Sequence, residues 1–204
     1  MRFYSYVVPR DYGFAPNPFN GICTLATCKP KIRKRATIGD WIFGTGSAIG
    51  DYKNCLIYAM KVTKKISFND YWNDPRFHTK KPIMRSCSLK KMYGDNIYFH
   101  DGRKWYQADS HHSLKGGEVN EYNLKRDTSV DAVLISEEFY YFGKSAIEIP
   151  TQLIQKVIKK GPSYRCPEEV WGNRLIVFIS RKYRLGYHDD PIQFLQFSRY
   201  DGKS

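Results

Sequence analysis

Long apolar runs are missing from this chain. Its longest ones fall far short of a bilayer span, so no transmembrane helix and no membrane partner are expected. Met1-Arg2 leads into a strand-like pattern broken by polar residues, not an apolar signal core, so no secretory leader is expected. Paired cysteines are missing too. Cys23, Cys28, Cys55, Cys87 and Cys166 are odd in number and include no CxxC. Cys23 and Cys28 stand five apart with no His pair to complete a zinc knuckle, so no metal is expected. The thiols read as reduced, mostly buried and cytoplasmic. No GxGxxG, P-loop, HExxH or deaminase signature occurs, so no cofactor is expected and recognised catalytic spacings are absent. There is no internal repeat and no low-complexity segment.

What the chain does have is positive charge and aromatic rings. Thirty-three Lys and Arg against 20 Asp and Glu give a net charge of +13, which favours an anionic partner. Tyr, Phe and Trp make up 16% of the residues. Basic and aromatic residues together suit proteins that hold phosphates and stack bases, although aromatics also simply fill cores. At 204 residues the chain can bury one real core without disulfide staples.

The stretch Ile38 to Ser47 (IGDWIFGTGS) reads as a Gly-Asp turn followed by a strand. Alternation places Trp41 and Phe43 on one face, with Gly44, Thr45, Gly46 and Ser47 beyond them. Two glycines there would let backbone approach a ligand. The alternative is an ordinary core strand that ends in a glycine turn.

Upstream, Arg2 to Val8 reads as a strand closed by Pro9. An aromatic loop follows, with Asp11, Tyr12 and Phe14 placed either to line a pocket or to pin the loop to the core. Ile22 to Cys28 reads as a short helix stopped by Pro30. Lys29, Lys31, Arg33, Lys34 and Arg35 form a basic run, a candidate for phosphate contact or a solvated face.

Downstream, Asn54 to Lys65 reads as a strand, and Ser67 with Asp70 as the capping box of a short helix. His78 to Lys91, with Lys80 and Lys81, makes a second basic loop. Asn96 to Gln107 reads as a hairpin on a two-residue Asp101-Gly102 turn. Ser110 to Asp127 reads as a mobile polar loop that carries surface histidines His111 and His112. A strand over Val130 to Ile135 precedes Glu137 to Gly143. Pro150 to Lys160 and the segment opened by Pro167 read as helices, and 201–204 as a frayed tail.

The segments Tyr4-Ser5-Tyr6-Val7-Val8, Asp11 to Phe19 (DYGFAPNPF), Cys23 to Pro30 (CTLATCKP), Gly39-Asp40-Trp41 and Phe139 to Gly143 (FYYFG) resemble the nucleotide modification associated domain, type two. The resemblance covers nearly the whole chain. It implies a context of DNA-base modification in bacteria and phages, not a demonstrated reaction. A looser resemblance, to PUA-like domains of the EVE and YTH type, rests on the order of elements and on Tyr71 to Phe77 (YWNDPRF). It implies a small curved sheet that holds a modified base in an aromatic pocket.

The expected fold is therefore α+β. It is a single PUA-like domain over 1–200, with a curved mixed or antiparallel sheet or barrel and C-terminal helices over about 150–183 packed on it. The leading function is a module that reads a flipped, modified base, in DNA ahead of RNA. Tyr4, Tyr6, Tyr12, Phe14, Trp41 and Phe43 would stack, and Asp11, Thr45 and Ser47 would read its edge. Lys29, Lys31, Arg33, Lys34, Arg35, Lys80 and Lys81 would grip phosphates. The alternatives are an enzyme using Asp11, Asp40, His100 or Asp101 for acid–base work, and a non-catalytic subunit that binds other proteins of a DNA-modification system.

Overall fold

The computed structural model describes residues 1–202. In chain order its elements are β1 (Phe3–Val7), β2 (Cys23–Leu25), α1 (Pro30–Arg35), β3 (Trp41–Thr45), β4 (Cys55–Lys61), β5 (Lys64–Ile66), α2 (Phe68–Asn73), α3 (Leu89–Met92), β6 (Tyr98–His100), β7 (Trp105–Gln107), α4 (Glu121–Thr128), β8 (Val133–Ser136), β9 (Glu138–Tyr141), β10 (Ile147–Glu148), α5 (Thr151–Val157), α6 (Glu169–Ser180) and β11 (Gly186–Tyr187). The class is mixed α+β, and no sheet of the described residues closes into a barrel. No helix of the described residues is long and apolar enough to cross a membrane.

The contacts divide the chain into two compact units, each assembled from three stretches. The first holds 1–11, 36–64 and 136–192. Its sheet runs β1-β3-β4-β9-β11, with β10 beside β4. It is mixed: β1 pairs parallel with β3, and β3 antiparallel with β4. The parallel register sets Phe3 opposite Trp41 and Ser5 opposite Phe43. Alternation then turns Phe3, Trp41 and Phe43 to one face. There they pack with Leu153 and Val157 of α5 and Leu175 and Ile179 of α6 in one buried cluster. Burial of this kind stabilises by about 25 cal/mol per Å² of apolar area.

The opposite face carries tyrosines. The Tyr58 hydroxyl donates to that of Tyr6 at 2.7 Å, and Tyr141 donates to Asp11 at 2.6 Å. Asp11 also accepts the Ile192 N–H at 3.2 Å, so its carboxylate ties a loop to the sheet. The space expected for a ligand beside Gly44 and Gly46 is filled. A Cβ on Gly44 would collide with the Tyr58 ring and the Val8 side chain, and one on Gly46 with the Tyr52 carbonyl.

The second unit holds 12–35, 65–135 and 193–204. A small sheet, β2-β8-β5, and the β6-β7 hairpin pack around Phe14, Phe68, Tyr71, Tyr93, Tyr98 and Val133. Ser67 caps α2 as its sequence implies: its hydroxyl accepts the Asp70 N–H at 3.0 Å, and Asp70 accepts the Ser67 N–H at 3.4 Å.

Four local expectations fail in this unit. Residues 23–25 form strand β2, not a helix, because β-branched Thr24 pairs across to Asn17 and buries its hydroxyl on Asp95. His100 pairs with Trp105, leaving Asp101 to Lys104 as the loop; Asp101 accepts the N–H groups of Arg103 and Lys104, so the turn is longer than two residues. The segment from Ser110 to Asp127 is ordered and ends in α4, with His111 and His112 buried rather than on the surface. Asp201 is tied by Asn120 and Gly202 is buried, so these two do not fray; residues 203–204 of the expected tail lie outside the described residues.

The tight fit at Gly44 has a measurable consequence. Gly44→Ala should destabilise the protein by about 1–3 kcal/mol, because the new methyl displaces a hydrogen-bonded tyrosine ring. Urea unfolding with an unchanged midpoint would show that the ring has room to give.

Candidate active site

The second unit brings a thiol, an imidazole and a carboxylate together. Cys28 ends the segment that follows β2, and Lys29 precedes α1. Both adopt left-handed backbone, φ 56° at Cys28 and φ 41° at Lys29. Two successive non-glycine residues in that region are costly, and such conformations persist where surrounding contacts enforce them. Here the enforcing contacts are visible. The Cys28 N–H donates to Asp127 Oδ1 at 2.9 Å, and the Cys28 carbonyl accepts Arg33 Nε at 2.9 Å.

Asp127 lies near the end of α4 and is fully buried. Besides Cys28 it accepts Arg126 Nε at 3.0 Å, the Tyr98 hydroxyl at 3.0 Å and His112 Nδ1 at 2.8 Å. Four donors converge on one carboxylate. With Nδ1 engaged, His112 turns Nε2 toward Cys28 Sγ, 3.9 Å away. Arg126 Nη2 stands at 3.9 Å on the thiol as well. The Cys28 residue as a whole is only partly buried.

These neighbours set the charges. Burial raises the Cys28 thiol, but the charge and hydrogen bond of His112, with help from Arg126, outweigh it and hold the thiol below its ordinary value. Burial lowers His112, but Asp127 and Cys28 overcome that and push it up to about 9. Burial raises Asp127, while His112 and Arg126 hold it well below the usual carboxylate range. The shifts of the thiol and the imidazole both favour a thiolate beside an imidazolium, oriented by a carboxylate. That is the arrangement of an activated sulfur nucleophile with its acid–base partner.

The donor atoms of Cys28, His112 and Asp127 lie within 4.8 Å of one another, a spacing that a metal could bridge. The four hydrogen bonds on Asp127 argue for the proton-relay reading instead. With that carboxylate and Nδ1 engaged, Sγ and Nε2 are the two donors left, fewer than zinc sites use.

Of the residues expected in a base pocket, Tyr4, Tyr6, Asp11, Trp41, Phe43, Thr45 and Ser47 belong to the first unit, and Tyr12 and Phe14 to the second. Trp41 and Phe43 are in the core against α5 and α6. Tyr4 and Tyr6 are buried, Thr45 donates to the Tyr6 carbonyl, and Ser47 is partly exposed. Phe14 packs on His112, with ring centres 4.6 Å apart, and Tyr12 stacks on Tyr93 at 5.4 Å. The aromatic loop thus borders the Cys28 centre through Phe14.

The basic residues divide similarly. Lys31, Lys34 and Arg35 are exposed on the outside of α1, and Lys29 is partly buried. Arg33 is wholly buried, and its guanidinium serves the backbone carbonyls of Cys28, Asp127, Val130 and Ala132, so it is a clamp rather than a phosphate contact. Lys80 is buried too, held by the Asn17 side chain and carbonyl and by the Ile22 carbonyl; burial brings it down to about 8. Lys81 lies over the Trp72 ring at 3.9 Å. Of the acid–base candidates, Asp40 is spent on Arg2 and Thr37, and Asp101 on its own loop. His100 stands 3.8 Å from Asp131, away from the Cys28 group in the bonding network.

Sequence reading missed the centre because its members are scattered. Cys28 and His112 are 84 residues apart, and His112 and Asp127 are 15 apart. The one local hint was the Cys-Lys-Pro turn before a basic run.

Arg33→Ala should cost more than about 3 kcal/mol, since it strands several buried carbonyls at about 1–3 kcal/mol each. Lys34→Ala, on the exposed side of the same helix, should stay within about 0.5 kcal/mol. Equal losses in a denaturation comparison would refute the clamp.

No curated protein and no solved structure matches the chain. One family model does, described as nucleotide modification associated domain 2, and it matches residues 1–198. A match of that extent shows that the chain belongs to the nucleotide modification associated domain 2 family.

Proposed function

We propose that this protein is an enzyme of nucleotide modification that attacks its substrate with the Cys28 thiolate. The observation that carries the reading is the Cys28–His112–Asp127 line. Nδ1 is held by the carboxylate at 2.8 Å, and Nε2 faces the sulfur at 3.9 Å. A spacing of this kind tightens when a substrate closes the site. Asp127 keeps His112 in one tautomer and supports its charge, and His112 keeps the sulfur ionised and returns a proton later in the cycle.

Binding of nucleic acid or a nucleotide belongs to the same reading. The net charge of +13 favours an anionic substrate. The exposed Lys31, Lys34 and Arg35 begin three residues beyond Cys28, so a phosphate held there would be close to the nucleophile. The partners in view are DNA first, then RNA or free nucleotides, with other proteins of a modification system. Recognition of one particular modified base would then be a property of the substrate bound at this centre.

Two measurements test this. Iodoacetamide labelling at pH 6.5 with peptide mapping should modify Cys28 about tenfold faster, or more, than the exposed Cys87 and Cys166. Ordinary thiols near pKa 8.5 are about 1% ionised there, so their rates should climb steeply with pH while that of Cys28 climbs less steeply. A Cys28 rate that follows the two reference cysteines would sink the nucleophile. Separately, changing Lys31, Lys34 and Arg35 to Gln should lower the slope of log affinity against log salt by about 2–3 for duplex DNA. An unaltered slope would make that face a merely solvated one.

A further inference from the structure

The position of His112 relative to the sulfur says which class of bond this thiolate would break. We propose that Cys28 is an acyl-transfer nucleophile: it accepts an acyl group from an amide or ester and passes it to water or an amine. This rests on the nucleophile reading above and narrows it.

Two chemistries suit a thiolate in a nucleotide-modifying protein. In conjugate addition to a pyrimidine ring, sulfur bonds to C6 and the charge moves to the far side of the ring. The useful proton donor would then stand across the ring from sulfur. In acyl substitution, sulfur bonds to the carbonyl carbon, and the leaving atom is attached to that same carbon. The useful donor then stands next to the sulfur. Nε2 of His112 is 3.9 Å from Sγ, and the Asp127 bond to Nδ1 prevents it from turning elsewhere. Reacting atoms meet at about 3–3.5 Å, so a donor at this distance reaches an atom bonded to the carbon under attack. The second requirement is a site for the carbonyl oxygen. Arg126 supplies a fixed cation: Nε is tied to Asp127 at 3.0 Å, while Nη2 points at the sulfur from 3.9 Å. Its guanidinium also lies over the Tyr200 ring at 5.7 Å, which limits its freedom. A preorganised donor of this kind stabilises developing oxyanion charge.

The step balances without a redox partner. The thiolate adds to the carbonyl carbon, and the π pair moves to oxygen beside Arg126. When the pair returns, the bond to the leaving nitrogen or oxygen breaks, and that atom takes the proton from His112 Nε2. The acyl group is then a thioester on Cys28. Neutral His112 removes a proton from water or an acceptor amine, whose lone pair attacks the same carbon. The carbon–sulfur bond breaks, returning thiolate and imidazolium.

The test uses p-nitrophenyl acetate with the full chain. The expected result is a burst of about one nitrophenolate per chain followed by slower steady release. Quenched protein should carry one acetyl group on Cys28, removable by neutral hydroxylamine and absent from Cys28→Ala. His112→Asn, with its melting temperature checked, should leave the acetyl group long-lived, slowing release by about 10²–10⁴-fold. If that variant does not fold, the wild-type burst, adduct and turnover still decide. A parallel sample of deoxycytidine monophosphate in D2O should show no exchange at C5. Exchange at C5 that depends on Cys28, or an acetyl adduct that never turns over in the wild type, would overturn acyl transfer. If iodoacetamide still selects Cys28 in that case, the nucleophile survives; if it does not, both readings fall.

Discussion

Asp127 is a carboxylate with almost no access to water. Taking such a charge out of water costs several kcal/mol unless partners surround it. Here they do: a backbone N–H from Cys28, a guanidinium from Arg126, a phenol from Tyr98 and an imidazole from His112. These donors come from four separate parts of the second unit. The same charge therefore fixes the turn before α1, the β6 tyrosine, the segment before α4 and α4 itself. Removing one partner would leave buried charge exposed to nothing. The centre should behave as one network whose members do not contribute additively.

Its pH behaviour follows from the two directions of shift. Asp127, held below its unfolded value, stabilises the fold above the ordinary carboxylate range, and that contribution is lost only as pH falls through its depressed folded value. His112, raised to about 9, stabilises fully below its unfolded value near 6.5. That contribution fades as pH rises from there through about 9. The Cys28 thiol moves in the opposite sense, since its lowered value favours the fold above the ordinary thiol range. The two shifts run in opposite directions and together widen the pH range in which a thiolate stands beside an imidazolium, the pairing that the proposed nucleophile needs.

Much of the first unit was legible in sequence because its strands alternate. Phe3, Trp41 and Phe43 share a face as period-two reading implies, and α5 and α6 bury the apolar stripe that helical spacing implies. What alternation cannot say is what covers a face. Trp41 and Phe43 are covered by helices far downstream, and the glycines beside them admit Tyr58 and Tyr52, not a ligand. Ser67 and Asp70 were legible because a capping box is complete within four residues. Arg33 was not. Its neighbours in a basic run are solvated, and only carbonyls about a hundred residues away reveal it as a clamp. His111 and His112 misled for the same reason: a polar stretch looks like a loop until Asp127 and the Ser198 carbonyl are seen beside the two rings.

In the proposed enzyme, Arg33 would let one short helix serve both binding and chemistry. Its guanidinium holds the Cys28 carbonyl on one side and the carbonyls of Asp127, Val130 and Ala132 on the other. The turn that carries the sulfur is thus fixed to the residue that orients His112. The outer side of the same helix presents Lys31, Lys34 and Arg35. Six helical residues span about 9 Å. That is close to one Debye length, about 8 Å at physiological salt, so an anion approaching the sulfur would still feel these charges. A flexible tether between the basic face and the sulfur would waste that proximity. The buried clamp makes it a fixed distance, and a substrate gripped by its phosphates on α1 would meet Sγ in a repeatable position.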